Sequence, residues 1–370
     1  MKKILILGQF QNTSNNFDGP GIRVCGVKKL FEESGFDVQL MGSSIKNRDD
    51  LSFKRSLSSL FLLDKRSRYI ISYVVRNRFD LVHTLANFNG WFTGHIFIYF
   101  YKLWFGKLAS IDIVDMNVTV QGTVLSAFFK RVDEYIVKDL CTKFIYDRVF
   151  VISTKLSHYY KLKNIETFLL PTITCNEMGR QDVGINKQKT IDVNLLYVGY
   201  PFSVHSTNVA QFKDRIDLMV SAVLSSELLN MKLTIVGITA KEYLEKVPEH
   251  ESLLASQKIE FLGSVNRDRI HNSYKEADYF FLVRDKTAAN DFGFPTKIVE
   301  ALSNGLKVIT TRTSDLDKYL TDTECIFVDY KVGKIEAELK KLDKHYKKIE
   351  PPIFFQASYY TKPLIRYLFK

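Results

Sequence analysis

No apolar run in this sequence is long enough to cross a bilayer. The greasiest stretch, WFTGHIFIYFYKLWF (91–105), is too short and is interrupted by His95 and Lys102. The opening MKKILILG has a four-residue apolar run that ends in glycine, with no small-residue cleavage site after it. It therefore reads as a buried first strand and not as a secretory signal. The four cysteines, Cys25, Cys141, Cys175 and Cys325, show neither CxxC nor metal-ligand spacing. That argues against a zinc module and fits ordinary reduced thiols in a cytoplasmic protein. Low-complexity segments and repeats at solenoid spacing are missing as well. What remains is an ordinary globular composition, 46% hydrophobic and 25% charged, over 370 residues, enough for two domains.

The charge is one-sided. Fifty-two Lys and Arg against 41 Asp and Glu leave a formal charge of +11, which favours anionic partners such as nucleotides, phospholipid head groups or nucleic acid.

Along the chain, short apolar runs alternate with stretches of helical spacing. ILIL (4–7), DVQLMG (37–42), DLVHTL (80–85), LASIDIVD (108–115) and RVFVIS (148–153) read as strands. A second series, VNLLYVGY (193–200), KLTIVG (232–237), IEFLGSV (259–265), DYFFLVR (278–284), LKVITT (306–311) and CIFVDY (325–330), follows a polar linker at 175–190. Strands alternating with helices predict an α/β chain: two doubly wound, Rossmann-like parallel-sheet domains. The expected boundaries are 1–175, 190–345 and an aromatic tail, 346–370, that packs back toward the first domain.

The most informative stretch is DFGFPTKIVEALSNGLKVITT (291–311). Gly293 and Phe294 lead into Pro295, which suits the first helical position because its missing N–H needs no partner. The amides of Thr296, Lys297 and Ile298 then lack helical partners and point outward at the positive end of the helix dipole, which favours an anion. Thr296, Lys297 and Glu300 share the face opposite Ile298, Val299 and Leu302, so Glu300 is expected to be exposed. A carboxylate there accepts hydrogen bonds from sugar hydroxyls and repels phosphate. The same pattern also fits an ordinary amphipathic helix with a solvated Glu300. Arg284, at the carboxyl end of the preceding strand, lies where open α/β sheets bind ligands.

This stretch resembles the donor-binding segment of retaining glycosyltransferases of family 4, which have the GT-B fold, with the two domains facing a cleft. Glu300 matches the second glutamate of that family's paired motif, and SNGLKVITT matches its helix end and strand. Phe292 stands where the first glutamate belongs, and GFPTKIVEA is closer to a subgroup from bacterial surface-polysaccharide pathways. The resemblance implies a metal-independent hexosyltransferase. It would move a sugar from a UDP- or GDP-linked donor to a glycan or lipid-linked acceptor, with no cofactor and no nucleic-acid partner. It assigns Gly199, at the end of the strand YVG, to the donor side, and Lys213, with Arg284 or Arg215 as the second charge, to the departing diphosphate. The loop 8–23, with Gly19, Gly21 and Arg23, would face the donor phosphates or an anionic acceptor. Asp115, ranked above His83, would sit near the reacting centre, although a lone histidine is more often structural. Asp315 and Asp317 form a DxD pair that reads better as helix capping than as a metal site. Epimerisation of a nucleotide-sugar on the same fold, or a non-catalytic binding subunit, are the competing readings.

One further pattern stands apart. Between 53 and 80, Lys54, Arg55, Lys65, Arg66, Arg68, Arg76 and Arg78 are interleaved with aromatics, and the mix recurs at 99–107 and in the tail. It fits either a solvated basic face or a protein peripheral on the inner face of a membrane.

Overall fold

The structure is a computed structural model that describes residues 1–8, 10, 19–42, 65–86, 93–116, 124–174, 193–202, 209, 212–226, 230–252, 256–342 and 348–370. The linker 175–190, the part of the N-terminal loop at 11–18, and residues 53–64 of the basic stretch lie outside them. Two compact units are present. Met1–Ile173, Phe292–Phe294 and Gln356–Lys370 form one; Thr174–Asp291 and Pro295–Phe355 form the other.

In the first unit, β1 (Lys3–Gly8), β2 (Asp37–Gly42), β3 (Leu81–Leu85), β4 (Leu108–Ile113), β5 (Arg148–Val151) and β6 (Thr167–Leu169) make one sheet in the order β2-β1-β3-β4-β5-β6. All the pairings are parallel. The ILIL run is fully buried in β1, as a strand covered on both faces requires. Helix α1 (Gly19–Glu33) buries Val24, Val27, Leu30 and Phe31, one helical stripe, against this sheet. It ends at Gly35, whose φ of +88° suits only a residue without a side chain. Helices α2 (Lys65–Asn77), α3 (Thr93–Phe105) and α4 (Val124–Tyr135) connect the later strands. A π-helical stretch, Ile136–Cys141, continues α4.

The second unit has the order β12-β11-β10-β7-β8-β9, with β7 (Val193–Val198), β8 (Met231–Val236), β9 (Ile259–Gly263), β10 (Tyr279–Leu282), β11 (Lys307–Thr310) and β12 (Cys325–Phe327). All its pairings are parallel too. From β7 the chain builds outward through β8 and β9 on one side, then returns to β10 on the other. The β7–β10 junction is therefore the topological switch point, where diverging connections leave room for a ligand at the strands' carboxyl ends. The helices that frame it are α5 (Ile216–Ser225), α6 (Arg267–Glu276), α7 (Ala288–Phe292) and α8 (Thr296–Ser303).

The C-terminal helix α9 (Ala357–Leu368) belongs to the first unit. Its Tyr367 hydroxyl accepts from the Val149 amide at 2.9 Å, and Arg148 donates to the Tyr367 carbonyl at 2.5 Å. Cys25 is disulfide-bonded, which corrects the expectation of four reduced thiols; Cys141 and Cys325 are free and buried.

Candidate active site

The carboxyl edge of β7 and β10 holds a charged cluster built around Asp214. This carboxylate precedes α5 and is fully buried. Arg284 Nε donates to its Oδ1 at 2.6 Å, and Lys297 Nζ donates to its Oδ2 at 2.6 Å. The Tyr197 hydroxyl, from β7, adds a third bond at 2.7 Å. Burial alone would raise the Asp214 pKa, but Arg284 and Lys297 outweigh it and hold the carboxyl well below the usual range. Burial in turn lowers the Lys297 ammonium from its ordinary value, and Asp214 only partly restores it.

Two cations share one carboxylate, so the cluster keeps one positive charge. Lys297 has three donors. Two go to Asp214 and Tyr197, and the side chain remains 22% exposed, open to an anion. Arg284 is fixed in place by its backbone, which exchanges hydrogen bonds with the Thr311 hydroxyl at 3.0 and 2.6 Å.

Gly199 makes this arrangement possible. It follows β7 with φ +140°, and a Cβ there would collide with Nζ and Cε of Lys297. The glycine thus opens a channel for the lysine to reach Asp214, a closer packing role than the donor contact expected of it.

Helix α8 begins at Thr296, with Pro295 as its N-cap (φ −77°, ψ 90°). Pro295 is therefore just outside the helix instead of at its first position. The Ile298 amide is also not free, since it donates to the Pro295 carbonyl at 3.0 Å. Glu300 differs more. The helix face that carries it is covered by α6, and burial raises its carboxyl from the ordinary 4.5 to about 7, against the Tyr274 hydroxyl, Lys297 and Arg267. The carboxyl is half-buried instead of solvated. The neighbouring Tyr274 hydroxyl is fully buried and makes no hydrogen bond of ordinary geometry within the protein. A half-buried carboxylate of this kind can accept hydrogen bonds from a hydroxyl-bearing ligand.

The remaining expected residues fall elsewhere. Lys213 is exposed beside Asp214, with its amide bonded to the Pro201 carbonyl at 3.1 Å. Gly293 is half-buried and Phe294 buried, and both pack with the first unit. In that unit Gly19 and Gly21 lie inside α1 and not in a loop. Arg23 is 2% exposed, donating to Asp112 at 2.9 Å through both Nε and Nη2 and to the Leu170 and Pro171 carbonyls. A guanidinium with these partners holds α1 to the sheet and is not available to an acceptor. His83 lies in the middle of β3, fully buried, with Nδ1 2.8 Å from the Ser110 hydroxyl and rings of Phe31 and Phe150 against it. Burial lowers its pKa from 6.5 to about 4, so it is a neutral core residue and does not meet a substrate. Asp115 is exposed just past β4, where Lys138 donates to its carboxylate at 3.0 Å. Asp315 occupies the N-cap position of a short helix but makes no side-chain capping hydrogen bond, contrary to the capping reading; it binds Lys318 at 2.9 Å instead.

Sequence reasoning missed Asp214, Tyr197, Tyr274 and Asp112. Asp214 left one trace: an acid wedged between Lys213 and Arg215 ahead of an apolar helix.

Comparison with known proteins adds to this geometry. Residues 187–350 match the family model described as glycosyl transferases group 1. A search of curated protein sequences finds no match. Among solved structures, the chain is similar to sucrose-phosphate synthase from Thermosynechococcus elongatus, with TM-score 0.64, 13% identity, and 92% of this chain and 89% of that one covered. It is similar to Anabaena HepE in complex with UDP, with TM-score 0.60, 12% identity, and 100% and 99% covered. It is also similar to UDP-GlcNAc 2-epimerase from Methanocaldococcus jannaschii, with TM-score 0.60, 14% identity, and 100% and 99% covered. The fold is thus of the two-domain GT-B type, and its second unit carries a domain similar to glycosyl transferases group 1.

Proposed function

We propose that this chain is a glycosyltransferase that moves a sugar from a nucleotide-sugar to a glycan or lipid-linked acceptor. The observation that carries this reading is the pairing, at the switch point of the second unit, of a cationic cluster with a hydroxyl-accepting corner. Lys297 and Arg284 supply charge for a diphosphate, and Glu300 supplies an acceptor for ribose hydroxyls. The match to the group 1 model and the likeness to a structure solved with UDP support it.

The chemistry asks for stabilisation of the diphosphate as the bond from anomeric carbon to phosphate oxygen breaks. Fixed cations do this well, because they need no reorganisation when the charge develops. Asp214 holds both cations in place before the donor arrives. Lys213, exposed next to them, adds a further positive charge. The positive end of α8, at Thr296, adds backbone dipoles in the same direction. In this reading side-chain cations take the part a metal ion has in other transferases, the anomeric configuration is retained, and Asp115 orients the acceptor hydroxyl. The role we assign is bacterial surface-polysaccharide assembly.

A panel of UDP- and GDP-sugars, incubated with the protein and a membrane extract as acceptor source, tests the reading. Release of free nucleotide that depends on the extract, and disappears in Lys297→Met, is the expected result. The second reading, nucleotide-sugar epimerisation, is favoured by the likeness to the archaeal epimerase. It predicts a changed sugar with no acceptor added.

A further inference from the structure

Helix α3 reverses the usual amphipathic pattern. Its buried side carries Gly94, His95, Ile98 and Tyr101. Its exposed side carries Ile96, Tyr99, Phe100, Leu103 and Trp104, at helical spacings of three and four, with Leu103 58% and Trp104 74% exposed. No charged residue interrupts that stripe. An exposed contiguous apolar stripe of this kind marks an interaction surface. The neighbouring α4 and its π continuation repeat the feature with Phe128, Val132, Tyr135 and Leu140, followed by Phe144. Lys102 of α3 also donates to the Ile145 carbonyl at 2.9 Å and to Asp147 at 2.6 Å, in the segment between Phe144 and β5.

The charges around this face are sorted by sign. Three of its acids are engaged by lysines: Glu134 by Lys138, Asp139 by Lys163 and Asp147 by Lys102. Several cations instead remain at the surface. Arg131 and Lys143 are exposed, the latter near the Phe144 ring, and Arg78 sits 5.3 Å from the Phe105 ring. Aromatic and aliphatic side chains ringed by exposed cations complement an anionic lipid surface, with the rings at head-group depth and the cations on phosphates. Among the described residues no helix is long and apolar enough to cross a membrane.

We propose that the α3 stripe, flanked by α4, seats this protein on the surface of an anionic bilayer. The inference is independent of the sugar-transfer reading. It places the contact on α3, whereas the sequence pointed first to residues 53–80. Flotation of the full chain with vesicles of phosphatidylcholine, with and without phosphatidylglycerol, tests it. The wild type is expected to float with the anionic vesicles and to be released by salt. The triple variant Phe100→Ser, Leu103→Ser, Trp104→Ser is expected to lose roughly tenfold or more in partitioning. Arg131→Gln with Lys143→Gln should lose binding to anionic vesicles while keeping its circular dichroism spectrum. In a Trp91→Phe background, Trp104 fluorescence should shift to the blue and become quenchable by brominated lipid. Flotation of the triple variant at the wild-type level overturns the proposal. So does a dimer in sedimentation velocity that the triple variant abolishes while vesicles bind neither protein, because the stripe is then a contact between copies. Trp104 shielded from iodide before vesicles are added overturns it as well, because the chain then covers its own stripe.

Discussion

The ammonium of Lys297 occupies the space that a Cβ at position 199 would fill, so the lysine reaches Asp214 because Gly199 has no side chain. One glycine at a strand end thereby sets the position of a cation contributed by a distant helix. Gly199→Ala is expected to push the lysine out and to strain a backbone held at φ +140°. The loss should be about 1–3 kcal/mol in urea unfolding, with weakened binding of UDP or GDP by calorimetry. Unchanged nucleotide affinity in a folded Gly199→Ala protein would separate this packing from function.

Asp214→Asn should be costly. The carboxylate is buried between two cations at 2.6 Å each, and removing its charge leaves them facing one another. A destabilisation of about 3–5 kcal/mol is expected from urea midpoints at neutral pH. Adding an anion that lies between the same cations should recover part of it, so pyrophosphate should raise the melting temperature more in Asp214→Asn than in the wild type.

Glu300 predicts a pH dependence with a definite sign. Its folded pKa, about 7, lies above the ordinary 4.5. Between those values the folded state binds more protons than the unfolded one, so stability falls as pH rises from about 4.5 to 7. Glu300→Gln should remove that decline and gain roughly 3 kcal/mol at pH 8 relative to the wild type. Nucleotide affinity should move the other way. It needs the ionised carboxylate, so it should climb severalfold through pH 7 in the wild type and stay flat in Glu300→Gln.

Arg23 and Asp112 form a buried pair that fastens α1 to β4 in the first unit. Arg23→Met leaves a buried carboxylate without its partner and should cost about 3–5 kcal/mol. The double variant Arg23→Met, Asp112→Leu should recover most of that in equilibrium unfolding. UDP affinity of the folded single variant should match the wild type, since the guanidinium faces protein groups and not a ligand.

Every strand but β6 was legible, because each is a short apolar run between turn residues and a parallel sheet buries such a run; β6 (Thr167–Leu169) is only three residues long. The site was only half legible. Helical periodicity put Thr296, Lys297 and Glu300 on one face, but it cannot say what packs over that face; Tyr274, from α6, half-buries Glu300. Arg23 looked like an available cation at a helix start. Its partner Asp112 is 89 residues away, and no local pattern joins them. His83 was read as lying at a strand end, but it sits in the middle of β3, and the tertiary packing of Phe31 and Phe150 makes it a core residue.

The central claim is that the cluster around Asp214 grips the diphosphate of a nucleotide-sugar. A crystal structure of the full chain grown with saturating UDP, and a second with GDP, tests it most directly. The account predicts phosphate oxygens within hydrogen-bonding distance of Lys297 Nζ or the Arg284 guanidinium, and a ribose hydroxyl on the Glu300 carboxylate. A nucleotide bound with its phosphates away from both cations, or Lys297 and Arg284 still enclosed around Asp214 with neither nucleotide bound, would contradict it.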